Sequence, residues 1–218
     1  MTDLHSGAAI ATLAAALLSA ARSVGVDDPT LWYVTRGAAA TAYLLLTAVM
    51  AFGVILSFRG LEGLMRGWRV YDLHQVLTLL MLGFVGLHLL TLYLDPFEPF
   101  SMLKLVWPFA ETYRSLGTAL GVLTLYLLVL VALSSWARRL LGARLWYLLH
   151  LTSYLAFILV TIHGLLTGAD SQTPWMLGVY TGSSGLVALL TLGRVYFAAQ
   201  GARERRARAA RARTVRGR

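Results

Sequence analysis

Apolar residues in this chain come in long, nearly uninterrupted runs, separated by short stretches that hold most of the charge. A helix needs roughly 20 mainly apolar residues to cross a bilayer. Five runs reach that length, at residues 31–57, 70–94, 116–136, 146–167 and 176–199. A sixth, at residues 8–26, is alanine-rich and barely long enough, with Asp3 and His5 where a secretory signal would carry basic residues. It reads as a short or tilted first helix. The pattern therefore predicts an all-α, polytopic membrane helix bundle of about six transmembrane helices.

The charges between the runs alternate in sign. Arg59, Arg66 and Arg69 follow the second run, Arg138, Arg139 and Arg144 the fourth, and an arginine-rich tail the sixth. The intervening loops hold Asp27, Asp28, Asp95, Glu98, Glu111 and Asp170. Because basic residues mark the cytoplasmic side, both termini and the arginine loops are expected in the cytoplasm. All six tryptophans (Trp32, Trp68, Trp107, Trp136, Trp146 and Trp175) fall at or beyond span ends, the depth of aromatic belts.

Composition sharpens this picture. Of 218 residues, 58% are hydrophobic and only 13% charged, about half the charged share of a soluble domain, and the mean hydropathy is +0.68. With no cysteine, disulfides, thiolate metal sites and iron–sulfur clusters are excluded. The net charge of +9 invites a nucleic-acid reading, yet eight of the nineteen basic residues lie between Arg203 and Arg218. That tail has no interleaved aromatics and reads as an anchor on anionic lipid. No nucleic-acid partner is expected. The organisation read from the chain is a membrane domain over 1–199 and a cytoplasmic tail over 200–218.

The candidate chemistry lies inside the runs. Four of the five histidines, His74, His88, His150 and His163, fall within the third and fifth spans, two on each. Ionisable groups at membrane depth are costly and usually functional, and neutral imidazole is a common ligand of metals and of haem iron. The two helices run in the same direction, so His74 and His150 share one depth and His88 and His163 the other. The steps of fourteen and thirteen residues correspond to about 21 and 20 Å, which would stack two cofactors within a hydrocarbon core of about 30 Å. Isolated hydrogen-bonding histidines, a proton relay, a chlorophyll or a bare metal site remain alternatives. Two distant pairs suit haem better than zinc, whose ligands cluster. The facing is uneven. A fourteen-residue step leaves His74 and His88 about 40° apart, whereas thirteen residues leave His150 and His163 about 140° apart, so the fifth helix should bend or bulge, or meet one cofactor obliquely.

The segments Tyr-Asp-Leu-His74 with His88, Trp146-Tyr-Leu-Leu-His150-Leu-Thr-Ser-Tyr with His163-Gly164, and Leu31-Trp-Tyr-Val-Thr-Arg36-Gly resemble the ferric-reductase-like transmembrane family. That family includes the membrane parts of NADPH oxidases and ferric reductases, and the haem subunit of bacterial periplasmic methionine sulfoxide reductase. The resemblance covers about residues 31–199. It implies two b-type haems, the inner on His74 and His150 and the outer on His88 and His163, with electrons moving outward. Within these 218 residues no G-x-G-x-x-G follows a strand-like run and no P-loop occurs. Electrons are therefore expected from a cytoplasmic flavoprotein reductase or membrane quinol, and an extracytoplasmic protein or ferric iron is expected to accept them. The alternatives are a histidine-based proton-coupled transporter, against which the lack of intramembrane acids speaks, and a haem-carrying assembly subunit without electron transfer.

Secondary features carry smaller expectations. Arg36 lies near the outer depth and could bind a haem propionate or snorkel to headgroups; Arg69 and Arg144 could serve the inner haem. Gly83, Gly86 and Gly164 would permit close approach, Met81 reads as core packing, and Asp170 could steer a partner. The loop 95–115 could lie on the membrane surface or dock an acceptor.

Overall fold

The structure, a computed structural model, describes residue 12 and residues 29–57, 69–95, 100–112 and 114–216. The expected first helix at 8–26 lies outside them, apart from Thr12, as do Asp27, Asp28, Arg59, Arg66, Trp68, Glu98 and the Arg69 side chain. The described residues form six helices: α1 (Thr30–Leu56), α2 (Arg69–Leu94), α3 (Met102–Val106), α4 (Ser115–Trp136), α5 (Arg138–Thr167) and α6 (Pro174–Arg216). No strand occurs among them. All but α3 are long and apolar enough to cross a bilayer. The chain is an all-α, polytopic membrane protein.

Lipid offers no partner for backbone or hydroxyl groups, so a spanning helix must satisfy them internally. The threonines do so one turn back along their own helices. Thr35 donates to the Leu31 carbonyl, Thr78 to His74, Thr124 to Leu120, Thr161 to Phe157 and Thr191 to Val187, all at 2.7–2.8 Å. These hydroxyls thus enter the spans with their donors satisfied.

By its contacts the chain divides into two units, Met1–Tyr43 with Leu79–Gln172, and Leu44–Thr78 with Thr173–Arg218. In the first, a lone linking residue, Ala137, joins α4 to α5, and the two helices pack extensively. Tyr43 stacks on Phe157, with centroids 5.8 Å apart, and its hydroxyl lies 3.1 Å from that of Thr161. Ala156 and Phe157 of α5 are buried, as is Met81 of α2. In the second unit α6 runs unbroken past Ala199 to Arg216, so the tail continues the last span as helix. Arg194 of α6 donates to the Ser57 hydroxyl beyond the end of α1.

Three local breaks punctuate the arrangement. Within α5, Gly142 adopts φ +72° and ψ 162°, a conformation essentially reserved for glycine, and interrupts the helix inside the arginine-rich loop. In the acidic loop before α4, Phe109 and Arg114 take φ of 65° and 50°, and Arg114 donates to the Thr167 carbonyl at 3.0 Å, tying that loop to the end of α5. The same loop carries the short α3, held by a Lys104–Glu111 ion pair at 2.7 Å. Leu105 is buried there, while Met102, Leu103, Val106, Trp107 and Phe109 are exposed.

Candidate functional site

The histidines occupy the inward parts of their helices. On α2, Val76, Leu79, Leu87 and Leu90 are exposed, and at about 100° per residue they lie on the side opposite His74 and His88. On α5, Leu151, Leu155, Ile158, Ile162 and Leu166 are exposed while Ala156 and Phe157 are buried. His150 and His163 then fall about 70° to either side of the buried face. This accounts for the uneven thirteen-residue step. The only non-helical residue within α5 is Gly142, ahead of both histidines, so no bulge separates them. They stand on opposite flanks of a regular helix.

His88 and His163 lie in the same unit, within electrostatic reach of one another. Each ring spends one nitrogen on a backbone carbonyl of a neighbouring helix. His88 Nδ1 is 3.2 Å from the Thr35 oxygen of α1, and His163 Nδ1 is 2.7 Å from the Gly117 oxygen of α4. A carbonyl only accepts, so both rings carry their proton on Nδ1 and keep the Nε2 lone pair. Metal-bound histidines are oriented in this way, with the second ring nitrogen donating to a carbonyl or carboxylate.

Room for such rings is made at the residue one turn beyond the carbonyl. A methyl group at Gly121, four residues after Gly117, would meet His163 Cε1 at 2.6 Å and Nδ1 at 2.8 Å. Four residues after Thr35 stands Ala39, also small. In the other unit the Val49 backbone lies within reach of the His74 ring. Four residues further, Gly53 faces it, with a Cβ position 3.3 Å from His74 Cε1. The fourteen residues from His74 to His88 match the fourteen from Thr35 to Val49. Within its own unit, each histidine of α2 thus lies by a backbone carbonyl of α1.

His150, in the first unit, has a different setting. Its ring stacks on Trp146 one turn earlier, with centroids 5.1 Å apart and planes at 26°. Arg36 also differs from its simplest sequence reading. It is committed to Asp170 by a two-pronged ion pair, with Nε donating to Oδ2 at 2.8 Å, and its guanidinium lies 4.0 Å over the Trp32 ring. The pair holds the Asp170 carboxyl below its ordinary value, chiefly through the Arg36 hydrogen bond. Asp170 and Arg36, each read singly from the sequence, are one feature. Arg144 is exposed. Gly83 and Gly86 have no heavy atom within 4 Å of their Cβ positions, so they are not points of close approach. Gly53, Gly117 and Gly121 are, and the sequence reading did not single them out. Their signal was available, since each lies on a helix antiparallel to a histidine-bearing one.

Among the described residues no group of three or more His, Cys, Asp or Glu gathers. An iron held axially needs only two imidazoles with free Nε2 atoms, and the donor set of His88 and His163 fits that requirement.

No curated protein and no solved structure matches the chain. A family model does, that of the ferric reductase like transmembrane component, over residues 36–161. The match begins on Arg36, takes in His74, His88 and His150, and stops two residues short of His163. It spans more than half of the chain, which therefore belongs to the ferric-reductase-like transmembrane family, whose members commonly bind haem and move electrons across membranes.

Proposed function

We propose that the protein is a di-haem b electron conduit. His88 and His163 would hold one haem at the acidic-loop end of the spans, and His74 and His150 another at the arginine-rich end. The observation that carries this reading is the matched use of Nδ1 by His88 and His163 on backbone carbonyls, which leaves two Nε2 lone pairs for one iron. The inner pairing is supported by the sequence, which puts His74 and His150 near corresponding ends of two spans expected to run in the same direction. When bound, haem supplies one-electron redox chemistry. The chain's own residues hold the His88 and His163 imidazoles in one tautomer and fix their orientation, and Trp146 stacks on the His150 ring. Arginine loops on one side support a cytoplasmic location for both termini. The donor would then be a cytoplasmic flavoprotein reductase or membrane quinol, and the acceptor an extracytoplasmic protein or ferric iron. Arg36, already near the acidic-loop end, would share its guanidinium between Asp170 and a haem propionate. The proton-relay alternative loses ground because two of the rings already have their protons directed at carbonyls.

The test is an absorption spectrum of the purified protein, oxidised and reduced, with haem counted per chain. Two b-type haems are expected, falling to one in His88→Ala or His163→Ala and to a different one in His74→Ala or His150→Ala. A protein expressed with ample haem and lacking b-type bands overturns the reading.

A further inference from the structure

A stack of side chains adjoins His150. The Arg138 guanidinium lies 4.1 Å from the centre of the Trp146 ring, and the His150 imidazole stacks on the same indole, with centroids 5.1 Å apart and planes at 26°. The indole N–H points to the Ser135 hydroxyl of α4 at 3.4 Å, which limits rotation of the ring. Arg138 is exposed, Trp146 and His150 half-buried, so the stack leads from solvent towards the histidine. Trp146 and His150 are four residues apart on one face of α5. Arg138 is eight residues before Trp146, about 12 Å along an unbroken helix, with the break at Gly142 between them.

We propose that Trp146 and Arg138 are positioning residues for His150. The indole fixes the plane of the imidazole, and the guanidinium holds a permanent positive charge on that indole. This rests on the reading of His150 as an iron ligand. A cation is attracted to the face of an indole, and the Arg138 guanidinium is held there. Among the described residues no carboxylate forms an ion pair with it. A fixed positive charge near a ligand favours the form of the iron that carries one more electron. The stack therefore raises the reduction potential of the haem on His150 and favours electron uptake at the arginine-rich end. It also limits the imidazole to one plane, which would show in the electron paramagnetic resonance signature of a haem held there.

The experiment is a redox titration and an electron paramagnetic resonance spectrum of the full-length, haem-loaded protein in nanodiscs. Arg138→Gln is expected to lower one of the two midpoint potentials and leave the other in place, with haem content unchanged. Arg138→Lys should restore most of that shift. Trp146→Leu should lower the same midpoint and move the low-field g value of one haem, while Trp146→Phe keeps that g value. Two unchanged midpoints and unchanged g values at full haem content overturn the stack's role and leave the di-haem reading intact. An equal shift of both haems also overturns it, because the effect is then a general surface charge. A wild-type protein without haem overturns both, and its spectrum separates that case from the others.

Discussion

Imidazole in lipid is tolerated when its N–H has a partner, and for His88 and His163 that partner is main chain. His163 donates to Gly117 and is seated against the bare Cα of Gly121. Replacing Gly121 by alanine places a methyl within 2.6–2.8 Å of the ring, so the ring must leave its carbonyl. Overpacking of this sort destabilises by about 1–3 kcal/mol. Gly121→Ala is expected to lower the thermal midpoint and to lose the haem on His163, read as a fall from two haems to one per chain. Gly83→Ala, with open space around it, should leave both unchanged. The histidines were legible in the sequence because an ionisable residue in an apolar run is conspicuous. Their acceptors were not, since every residue has a carbonyl and only register selects Thr35, Val49 and Gly117. Gly83 and Gly86 drew attention by lying between two histidines, yet their side of α2 faces outward.

At the level of helices, the spans were legible to within one or two residues for α1, α2 and α4, because hydrocarbon thickness and the ban on unpaired backbone leave little choice. The α5 start moved eight residues earlier, to Arg138, since a helical turn can form in the interfacial region before Gly142 interrupts it. The thirteen-residue step is a property of the whole helix. Deleting the exposed Ile158 would turn everything beyond it by about 100° and carry His163 off the Gly117 carbonyl. One haem should be lost and the other kept, resolved by redox titration. Between elements, Arg36 and Asp170 are 134 residues apart in sequence, which hid their pairing. Asp170→Asn is expected to destabilise by at most about 1 kcal/mol at neutral pH, since both side chains are partly exposed. The carboxyl's folded value is depressed, so this contribution is present above the ordinary value of 3.8 and disappears as the pH falls through the depressed one. Unfolding curves of wild type and Asp170→Asn should converge in strong acid and differ at pH 7.

For the molecule as a membrane protein, the alternation of charge predicts which loops face the cytoplasm, and the lack of cysteine makes that easy to check. Single cysteines at Ser101 and Gln172 should react with an impermeant maleimide from the extracytoplasmic side. Cysteines at Ala143 and Ala207 should react only after the membrane is opened. Labelling of Ala143→Cys in sealed cells would invert the topology, and the proposed direction of electron flow with it.

The use of main-chain oxygens as histidine partners has a consequence for mutational scanning. Thr35→Ala removes a hydroxyl that points back to Leu31 and leaves the acceptor of His88 in place, so a survey of side-chain replacements would score position 35 as neutral. The same survey would score Gly121 as intolerant of almost every residue and suggest a packing defect. Only replacing the Thr35–Arg36 amide with an ester, which weakens the carbonyl as an acceptor without altering any side chain, would register Thr35 as part of the site.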